Sequence, residues 1–341
     1  MTTRTKQLIA FFLLAIILIG FLVVIRQNNG NNAEESASEQ IFAMDTVMDM
    51  TVYRTEGMIG EPQDVLDEMR ERVYQMEREL SVTIADSDVA KLNAASGEAV
   101  AVSEDTYDLI GKALEVAKDT KGAFDPTIYP IVKLWGFTTG EHRVPSDDEI
   151  KNELKRVGYS RINVGDKPGK VSLSEETMID LGACAKGYLS DVLCEIVKSH
   201  KTSGIISLGG NVQSVGTKPD GTAFRVGIID PKNTEKIYET IENKNEAVVT
   251  SGNYERFFEK DGKRYHHIMD STTGKPADKG LASVTVVGPS GFLCDAYATA
   301  FFVMGEDKAK EVLKNKPDYH AAFIYEDGHD SGFDEIKKLI K

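Results

Sequence analysis

Apolar side chains recur at helical spacing in several parts of the chain. Residues 61–80 place an apolar residue every three or four positions, which predicts an amphipathic helix. Further helices are predicted at 103–121, from Ser146 onward, at 184–199 and at 291–304. The segment 42–53 alternates in steps of two instead, which predicts a single strand.

Strand patterns dominate from residue 160 onward, and short glycine turns separate them. The apolar stretches are RINVG, KVSLS, GIISLGG, FRVGIID, EAVVTSG, RYHHIMD, LASVTVVG and HAAFIYE. Many strands with few helices between them predict largely antiparallel sheets and an α+β class. The chain has no internal repeat, no GxGxxG and no Walker lysine loop, so no motif indicates a classical nucleotide-binding fold.

The N-terminal segment predicts a membrane anchor. Residues 8–25 are 18 residues without a charge, preceded by Arg4 and Lys6, and a bilayer span needs about 20. An uncleaved signal-anchor over 1–26 is favoured over a signal peptide that is cleaved near residues 36–38. The basic flank predicts a cytoplasmic N-terminus and an extracytoplasmic body.

The remaining chain divides into a tether and a body. Residues 27–40 contain no large apolar residue, which predicts a flexible tether. The catalytic or binding body is predicted at 41–341. With 41% hydrophobic residues in 341, a sizeable core is expected.

The charge of the chain limits its ligands. A formal net charge of −14 argues against nucleic-acid binding, and an anionic ligand would need a local cation or a metal. Three cysteines, Cys184, Cys194 and Cys294, lack metal-site spacing. Buried apolar cysteines are favoured, and a disulfide between two of them stays open.

One carboxylate stands in an apolar stretch near the end of the chain. In FLCDAYATAFFVMG (292–305), Asp295 is the only charged residue, and Thr299 lies one helical turn later. An unpaired buried carboxylate is costly. Asp295 is therefore either the N-cap of a helix or, with Thr299, part of a site for a hard cation such as magnesium.

A second stretch combines small residues with two charges. IDLGACAKGYLSD (179–191) contains Asp180, then Gly182 and Ala183, then Lys186. Small residues allow close approach to the backbone, and a helix start offers N–H donors to an anion. Lys186 is either the cation of such a site or a solvated surface residue.

An aromatic segment and a histidine pair complete the candidates. GAFDPTIYPIVKLWGF (122–137) surrounds Asp125 with aromatic residues, which suits a flat heterocycle and equally a structural corner.

His266 and His267 alternate faces in a predicted strand, so only one can face a given pocket. Histidine is a common proton acceptor near neutral pH.

These stretches belong to a larger ordered set, and the chain resembles the ApbE-type FAD:protein FMN transferases from about residue 42 to 325. The motifs, in the order of that family, are AMDT, GAFDPT, DLGACAKGY, SLGGN, TSGNYERFF, HIMDSTTGKP and CDAYATA. Each motif alone is weakly specific, but seven in order are strongly specific.

The resemblance implies a T-fold-like α+β architecture that binds FAD and magnesium. Such enzymes transfer FMN from FAD, their substrate, to a serine or threonine hydroxyl of another protein and release AMP. The resemblance makes Asp295, Thr299 and the backbone oxygen of Ala183 the metal ligands, and His267 the general base. It places the following residues at the FAD site: Met44, Thr83, Ala123, Phe124, Asp125, Asp180, Lys186 and Met269.

Three positions depart from the family pattern. Asp45 stands where many relatives have glycine, and Ser271 where relatives commonly have proline. Thr83 stands where an aromatic residue often stacks on the flavin, and relatives without that residue can hydrolyse FAD. An FAD pyrophosphatase, and a non-catalytic flavin-binding or assembly protein, are therefore the rival interpretations.

The resemblance also bears on the partner. The acceptor signature of the family resembles Asp-Gly-x-Ser/Thr-Gly-Ala-Ser/Thr, and no such segment occurs in this chain. The acceptor is therefore expected to be a separate extracytoplasmic protein, plausibly a flavoprotein of membrane electron transfer.

Overall fold

The computed structural model describes residues 35–165 and 169–339. Within these ranges, no helix combines the length and the apolar character that crossing a bilayer requires. The predicted signal-anchor over 1–26 lies outside the described residues, so it stays a prediction.

The five predicted helices are present, and the described residues form four further short ones that the apolar spacing did not predict. Those described are α1 (Pro62–Leu80), α2 (Asp88–Ala94), α3 (Glu104–Asp119), α4 (Tyr129–Leu134), α5 (Asp147–Leu154), α6 (Ala185–Ser199), α7 (Gly291–Met304), α8 (Glu306–Leu313) and α9 (Phe333–Leu339). The predicted capping box of α5 is present, because Ser146 and Glu149 bond each other's backbone N–H. Short 3₁₀ turns lie at Pro126–Ile128 and Tyr159–Arg161.

Every strand pattern predicted after residue 160 corresponds to an observed strand. The strands are β1 (Ser36–Ala43), β2 (Thr46–Tyr53), β3 (Val100–Ala101), β4 (Ile162–Val164), β5 (Lys170–Leu173), β6 (Ser203–Leu208), β7 (Asn211–Val215), β8 (Phe224–Asp230), β9 (Asn233–Asn243), β10 (Ala247–Gly252), β11 (Phe257–Lys260), β12 (Lys263–His266), β13 (Met269–Asp270), β14 (Lys275–Pro276), β15 (Leu281–Gly288), β16 (His320–Tyr325) and β17 (Asp330–Ser331).

One eight-stranded sheet organises the fold. Its order is β1-β2-β6-β7-β10-β15-β16-β17, and the pairings from β2 to β17 are antiparallel. Smaller sheets are β3-β5-β4, β8-β9, β11-β12 and β13-β14. Helices α6 and α7 pack on the large sheet, and most of the buried apolar side chains join one continuous core. The predicted α+β class with antiparallel sheets is confirmed.

The predicted single strand over 42–53 is wrong, because the chain reverses within it. Met44 and Asp45 have φ values of 50° and 59°, the left-handed conformation of a tight hairpin turn. The alternation held on each side of the turn, so it did not reveal the reversal. Three residues on one face of β2 are fully buried: Met48, Met50 and Val52.

The predicted tether over 27–40 also needs correction at its end, because β1 begins at Ser36. Ala37 is buried there, and Arg70 of α1 donates to the carboxylate of Glu39 at 2.8 Å. A polar composition therefore concealed the first residues of a strand that pairs with β2 and also buries Ile41 and Ala43.

Helices α6 and α7 touch through their backbones. A Cβ added at Gly187 would lie 2.2 Å from the carbonyl oxygen of Gly291 and 2.6 Å from the Cβ of Asp295. Side chains at either glycine would therefore push the helices apart. This glycine contact fixes the start of α6 against the first turns of α7.

Candidate active site

The start of α7 is held by two side chains. The hydroxyl of Ser290 accepts a hydrogen bond from the N–H of Leu293 at 3.3 Å. The carboxylate of Asp191, from α6, accepts from the N–H of Gly291 at 2.6 Å and of Phe292 at 3.0 Å. The interpretation of Asp295 as the N-cap is therefore wrong, since Ser290 is the cap and Asp295 lies inside the helix.

Asp295 is a buried carboxylate without a contacting cation among the described residues. It is 5% exposed, and its Oδ2 accepts a hydrogen bond from the N–H of Gly187 at 2.9 Å. Burial raises the pKa of Asp295, while the charge of Lys186 and the bond from Gly187 oppose the increase. A positive ion at this carboxylate would offset part of the desolvation cost of its charge.

Ala183 and Thr299 offer two further oxygens, and each lies about one helical turn from a residue of the Gly187–Asp295 bond. The N–H of Gly187 bonds Asp295 instead of the carbonyl four residues back, and no described residue donates a hydrogen bond to the carbonyl oxygen of Ala183. Thr299 follows Asp295 by one turn, with its hydroxyl 3.3 Å from that of Ser251 in β10. Carboxylate, hydroxyl and carbonyl oxygens are the donors that hard cations accept.

The chemistry of this donor set differs from that of a transition-metal site. Among residues 35–165 and 169–339, no three His, Cys, Asp or Glu side chains form a cluster that could hold a metal ion. All three cysteines are free and buried, which confirms that they act as apolar core residues. The oxygens of Ala183, Asp295 and Thr299 therefore fit magnesium better than zinc.

His267 has the tautomer of a proton acceptor. Its Nδ1 lies 3.2 Å from the carbonyl oxygen of Arg256, which can only accept, so Nδ1 carries the proton and Nε2 has a free lone pair. Desolvation, and next the charge of Arg256, lower the pKa of His267 to about 3. The imidazole is thus neutral at physiological pH. His266, on the other face, is buried and its Nε2 donates to Ala277.

The charge of Lys186 acts on three of the predicted site residues. It opposes the effect of burial on Asp180 and Asp295, and it helps to lower the pKa of His267. Asp180 accepts from the N–H of Gly182 at 2.8 Å, and burial raises its pKa. The structure therefore brings four predicted site residues into electrostatic reach of one another: Asp180, Lys186, His267 and Asp295.

The aromatic segment has a structural role in part. Asp125 caps the turn at Pro126–Ile128, accepting from the N–H and hydroxyl of Thr127 at 2.8 and 2.6 Å and from the N–H of Tyr159 at 2.9 Å. Phe124 belongs to the main core, and Met269 packs in a separate cluster with Trp135. The structural corner is present, and the role of these residues in FAD binding stays a prediction.

Three other predicted FAD contacts lie in loops. Met44 lies in the β1–β2 turn, where its N–H donates to Glu77 at 2.7 Å. Thr83 is exposed and bonds Ser81, and Ala123 packs at the edge of the core. No described contact joins these three residues to Asp295 or His267, so their roles stay predictions.

Sequence reasoning missed two charged residues of the site. Glu255 and Arg256 follow β10 in the stretch TSGNYERFF, and the sequence alone identifies this stretch only as a family motif. Glu255 interacts electrostatically with Lys186, Asp295 and Arg256. Two adjacent charges next to glycine and tyrosine were the available signal, but only the fold shows which groups they face.

Glu255 predicts a pH-dependent stability. Although much of its side chain is exposed, the protein around the carboxyl group raises its pKa to about 7 by desolvation. The folded state thus binds this proton more tightly than the unfolded state, and stability falls as pH rises from about 4.5 to 7. In the absence of ligands, we expect Glu255→Gln to raise the unfolding temperature at pH 8 but not at pH 4.5. Equal shifts at both values, in differential scanning calorimetry, would contradict the assignment.

The chain belongs to the ApbE family, whose model matches residues 44–324. Among relatives named FAD:protein FMN transferase, that of Treponema pallidum is 38% identical over 280 residues, 77% of each chain. That of Klebsiella pneumoniae is 34% identical over 263 residues, 74% of this chain and 81% of the relative.

Solved structures agree with this assignment. The ApbE protein of Thermotoga maritima superposes with a TM-score of 0.83 at 35% identity, over 90% of this chain and 99% of that one. The flavin transferase ApbE of Vibrio cholerae gives a TM-score of 0.78 at 28% identity, over 87% and 97%. The predicted family and its predicted enzyme class are confirmed.

Proposed function

We propose that the chain catalyses magnesium-dependent transfer of FMN from FAD to a serine or threonine hydroxyl of a separate acceptor protein, with release of AMP. One observation carries the proposal: the charge of a single lysine acts both on a neutral histidine and on a carboxylate that belongs to a set of hard oxygen donors. His267 has its Nε2 free, and Lys186 acts electrostatically on both His267 and Asp295.

The metal ligands would be Asp295, Thr299 and the carbonyl oxygen of Ala183. When bound there, magnesium would neutralise the FAD diphosphate and increase the electrophilicity of the phosphorus under attack. Lys186 adds a further positive charge beside these oxygens. Asp295 itself is buried, which strengthens the interaction of its charge with a cation.

The proposed reaction is an in-line displacement at the FMN phosphorus. Nε2 of His267 accepts the proton of the acceptor hydroxyl, and the hydroxyl oxygen forms a bond to phosphorus. The bond from that phosphorus to the AMP oxygen breaks, and AMP leaves with the electron pair. Because the pKa of His267 is about 3, the imidazole is unprotonated at neutral pH and its Nε2 can accept a proton.

A two-arm assay tests the proposal. The purified chain is incubated with FAD and magnesium, with and without a carrier protein that bears the segment Asp-Gly-Leu-Ser-Gly-Ala-Thr. Transfer predicts an FMN-sized mass increase on the carrier and an equal amount of AMP. Rapid release of free FMN in both arms, without an adduct, would assign hydrolysis instead. FAD binding without AMP in either arm would indicate a non-catalytic flavin-binding protein.

The proposed location is the outer face of the cell membrane. The uncharged run at 8–25 and the basic residues before it support an anchor with an extracytoplasmic body. Protease treatment of intact spheroplasts tests this orientation, since it would degrade the body. Survival of the body until the cells are lysed would place it in the cytoplasm.

A further inference from the structure

Two polar side chains of the large sheet lie on the face that packs against α6 and α7. Asn211 of β7 and Val249 of β10 are cross-strand partners, so they share a face, and Ser251 lies on that face two residues further along β10. Gln213, on the same face of β7, accepts from the hydroxyl of Ser190 in α6 at 2.6 Å. Val249 belongs to the main core, and β10 packs against α7. The side chains of Asn211 and Ser251 are therefore directed at the two helices.

The spacing of these two side chains matches that of Asp295 and Thr299. Diagonal neighbours on a sheet face lie about 7–8 Å apart, and residues one turn apart rise about 6 Å along a helix. The hydroxyl of Ser251 lies 3.3 Å from that of Thr299. The amide of Asn211 acts on the carboxylate of Asp295 as a hydrogen-bond donor and opposes the rise in its pKa. Each proposed side-chain ligand on α7 thus has its own neighbour on the sheet.

The amide of Asn211 has unused donor capacity. The residue is 3% exposed, and its Nδ2 completes no hydrogen bond with any group of residues 35–165 and 169–339. A buried donor without a full partner costs free energy, so it calls for a state of the site that uses it. The carboxylate of Asp295, held on its Oδ2 by the N–H of Gly187, is the acceptor on which this amide acts.

The hydroxyl pair of Ser251 and Thr299 has a defined direction when Thr299 binds a cation. A hydroxyl that gives a lone pair to a cation keeps its proton, and that proton needs an acceptor. Among the described residues, the oxygen of Ser251 is the group that the hydroxyl of Thr299 contacts. Donation from Thr299 to Ser251 would leave the lone pairs of Thr299 free for the ion.

We propose that Ser251 and Asn211 are positioning residues of the metal site: Ser251 accepts the proton of the Thr299 hydroxyl, and Asn211 donates to the carboxylate of Asp295. The inference rests on the proposed function, and it gives the sheet the task of orienting both side-chain ligands on α7. Removing a group that orients a metal ligand commonly costs about 10- to 100-fold in metal affinity or activity.

Binding of Mn²⁺ tests the role of Ser251 without turnover, because oxygen sites that suit magnesium also accept Mn²⁺. Electron paramagnetic resonance of the free ion gives its Kd for the full chain. We expect Ser251→Ala to raise this Kd, and the magnesium concentration for half-maximal FMN transfer, at least about tenfold. At saturating magnesium, kcat should stay within about threefold of the wild type. Ser251→Thr, which keeps the acceptor oxygen, should restore the Kd to within about threefold.

A double-mutant cycle shows whether Ser251 acts through Thr299. Thr299→Val removes the hydroxyl with little change of shape, and we expect it to weaken Mn²⁺ binding. In that background Ser251→Ala should change the Kd by less than about twofold, because the group that it orients is already absent. An equal rise of the Kd in both backgrounds would overturn this role of Ser251.

Asn211→Val tests the second contact. Valine suits a strand position and removes the donor, so the Kd for Mn²⁺ should rise at least about tenfold. Asn211→Ala is the second variant if valine prevents folding, which the unfolding temperature reveals. An unchanged Kd in either folded variant would overturn the role of Asn211.

The matched control is another hydroxyl pair on the same strand. Thr250 lies on the opposite face of β10, and its hydroxyl is 2.8 Å from that of Thr285 in β15. Thr250→Val breaks this pair and should leave the Kd for Mn²⁺ within about twofold, even if it lowers the unfolding temperature. A rise as large as that of Ser251→Ala would trace the effect to the strand as a whole and overturn the inference.

The remaining outcomes separate the inference from the proposed function. Unchanged Kd values in Ser251→Ala and in Asn211→Val, with normal adduct formation by the wild type, would overturn the inference and leave the transfer function intact. Absence of a magnesium-dependent FMN adduct with the wild type would overturn the proposed function itself.

Discussion

Asp295→Asn should abolish magnesium-dependent FMN transfer, with a loss of at least about 1,000-fold in kcat/KM. The amide keeps the shape and can still accept from the N–H of Gly187, but it removes the negative charge of the proposed metal site. Mass spectrometry of the carrier protein, at magnesium concentrations up to saturation of the wild type, measures the effect.

The same variant has an opposite expected effect on stability. Burial raises the pKa of Asp295, so the charged form costs free energy in the folded protein, and this cost grows as pH rises. Without metal, we expect Asp295→Asn to unfold at a temperature equal to or above that of the wild type at pH 8. A variant that is more stable but inactive would show that the carboxylate of Asp295 is needed for activity and not for stability.

A matched control is available next to the same helix. Asp119 is exposed and accepts a hydrogen bond from the hydroxyl of Tyr297 in α7 at 3.2 Å. Asp119→Asn should keep transfer within about twofold. If Asp295→Asn instead retained full magnesium-dependent turnover, the assignment of Asp295 as a metal ligand would be wrong.

His267→Asn should lower kcat by about 100- to 10,000-fold, the usual contribution of a general base. Asparagine can still donate to the carbonyl of Arg256, as Nδ1 does, but it has no basic nitrogen at the Nε2 position. FAD affinity, measured by fluorescence quenching, should change by less than about threefold. Because the pKa of His267 is about 3, the wild type should lose no activity through this group between pH 6 and 8.

The control for the base is His329, which is exposed and lies 2.6 Å from Asp327. His329→Asn should leave kcat unchanged. Undiminished transfer by His267→Asn, with normal FAD binding, would remove His267 from the base role. Glu255, which interacts with Asp295 and Lys186, would then be the next residue to test.

The sequence predicted elements better than it predicted their ends. Helices α1, α3, α6 and α7 followed from apolar spacing, because each buries one face or, for α7, nearly its whole length. The turn at Met44 and Asp45 was missed, since neither glycine nor asparagine marks its left-handed residues. Strand β1 was missed because it buries few large side chains.

The candidate site divides in the same way. Asp180, Lys186 and Asp295 were singled out because a charged residue in an apolar or glycine-rich stretch is conspicuous, but their roles, and the choice of His267 over His266, came from the family resemblance. Glu255 escaped notice because an exposed Glu–Arg pair is common and its importance depends on what it faces. Both carboxylate oxygens of Asp125 accept hydrogen bonds in this corner, one of them from the N–H of Tyr159. The segment around Asp125 could not predict that bond, because Tyr159 lies far along the chain.

The glycine contact between α6 and α7 limits which substitutions could alter the ion preference of the proposed metal site. Main-chain atoms of Gly187 and Gly291 form this contact, and the N–H of Gly187 donates to the carboxylate of Asp295. Laboratory selection for a larger ion, such as calcium, would therefore meet a rigid frame at this point. Successful variants would have to replace the donor groups themselves, because small shifts in the surrounding core would not enlarge the proposed metal site.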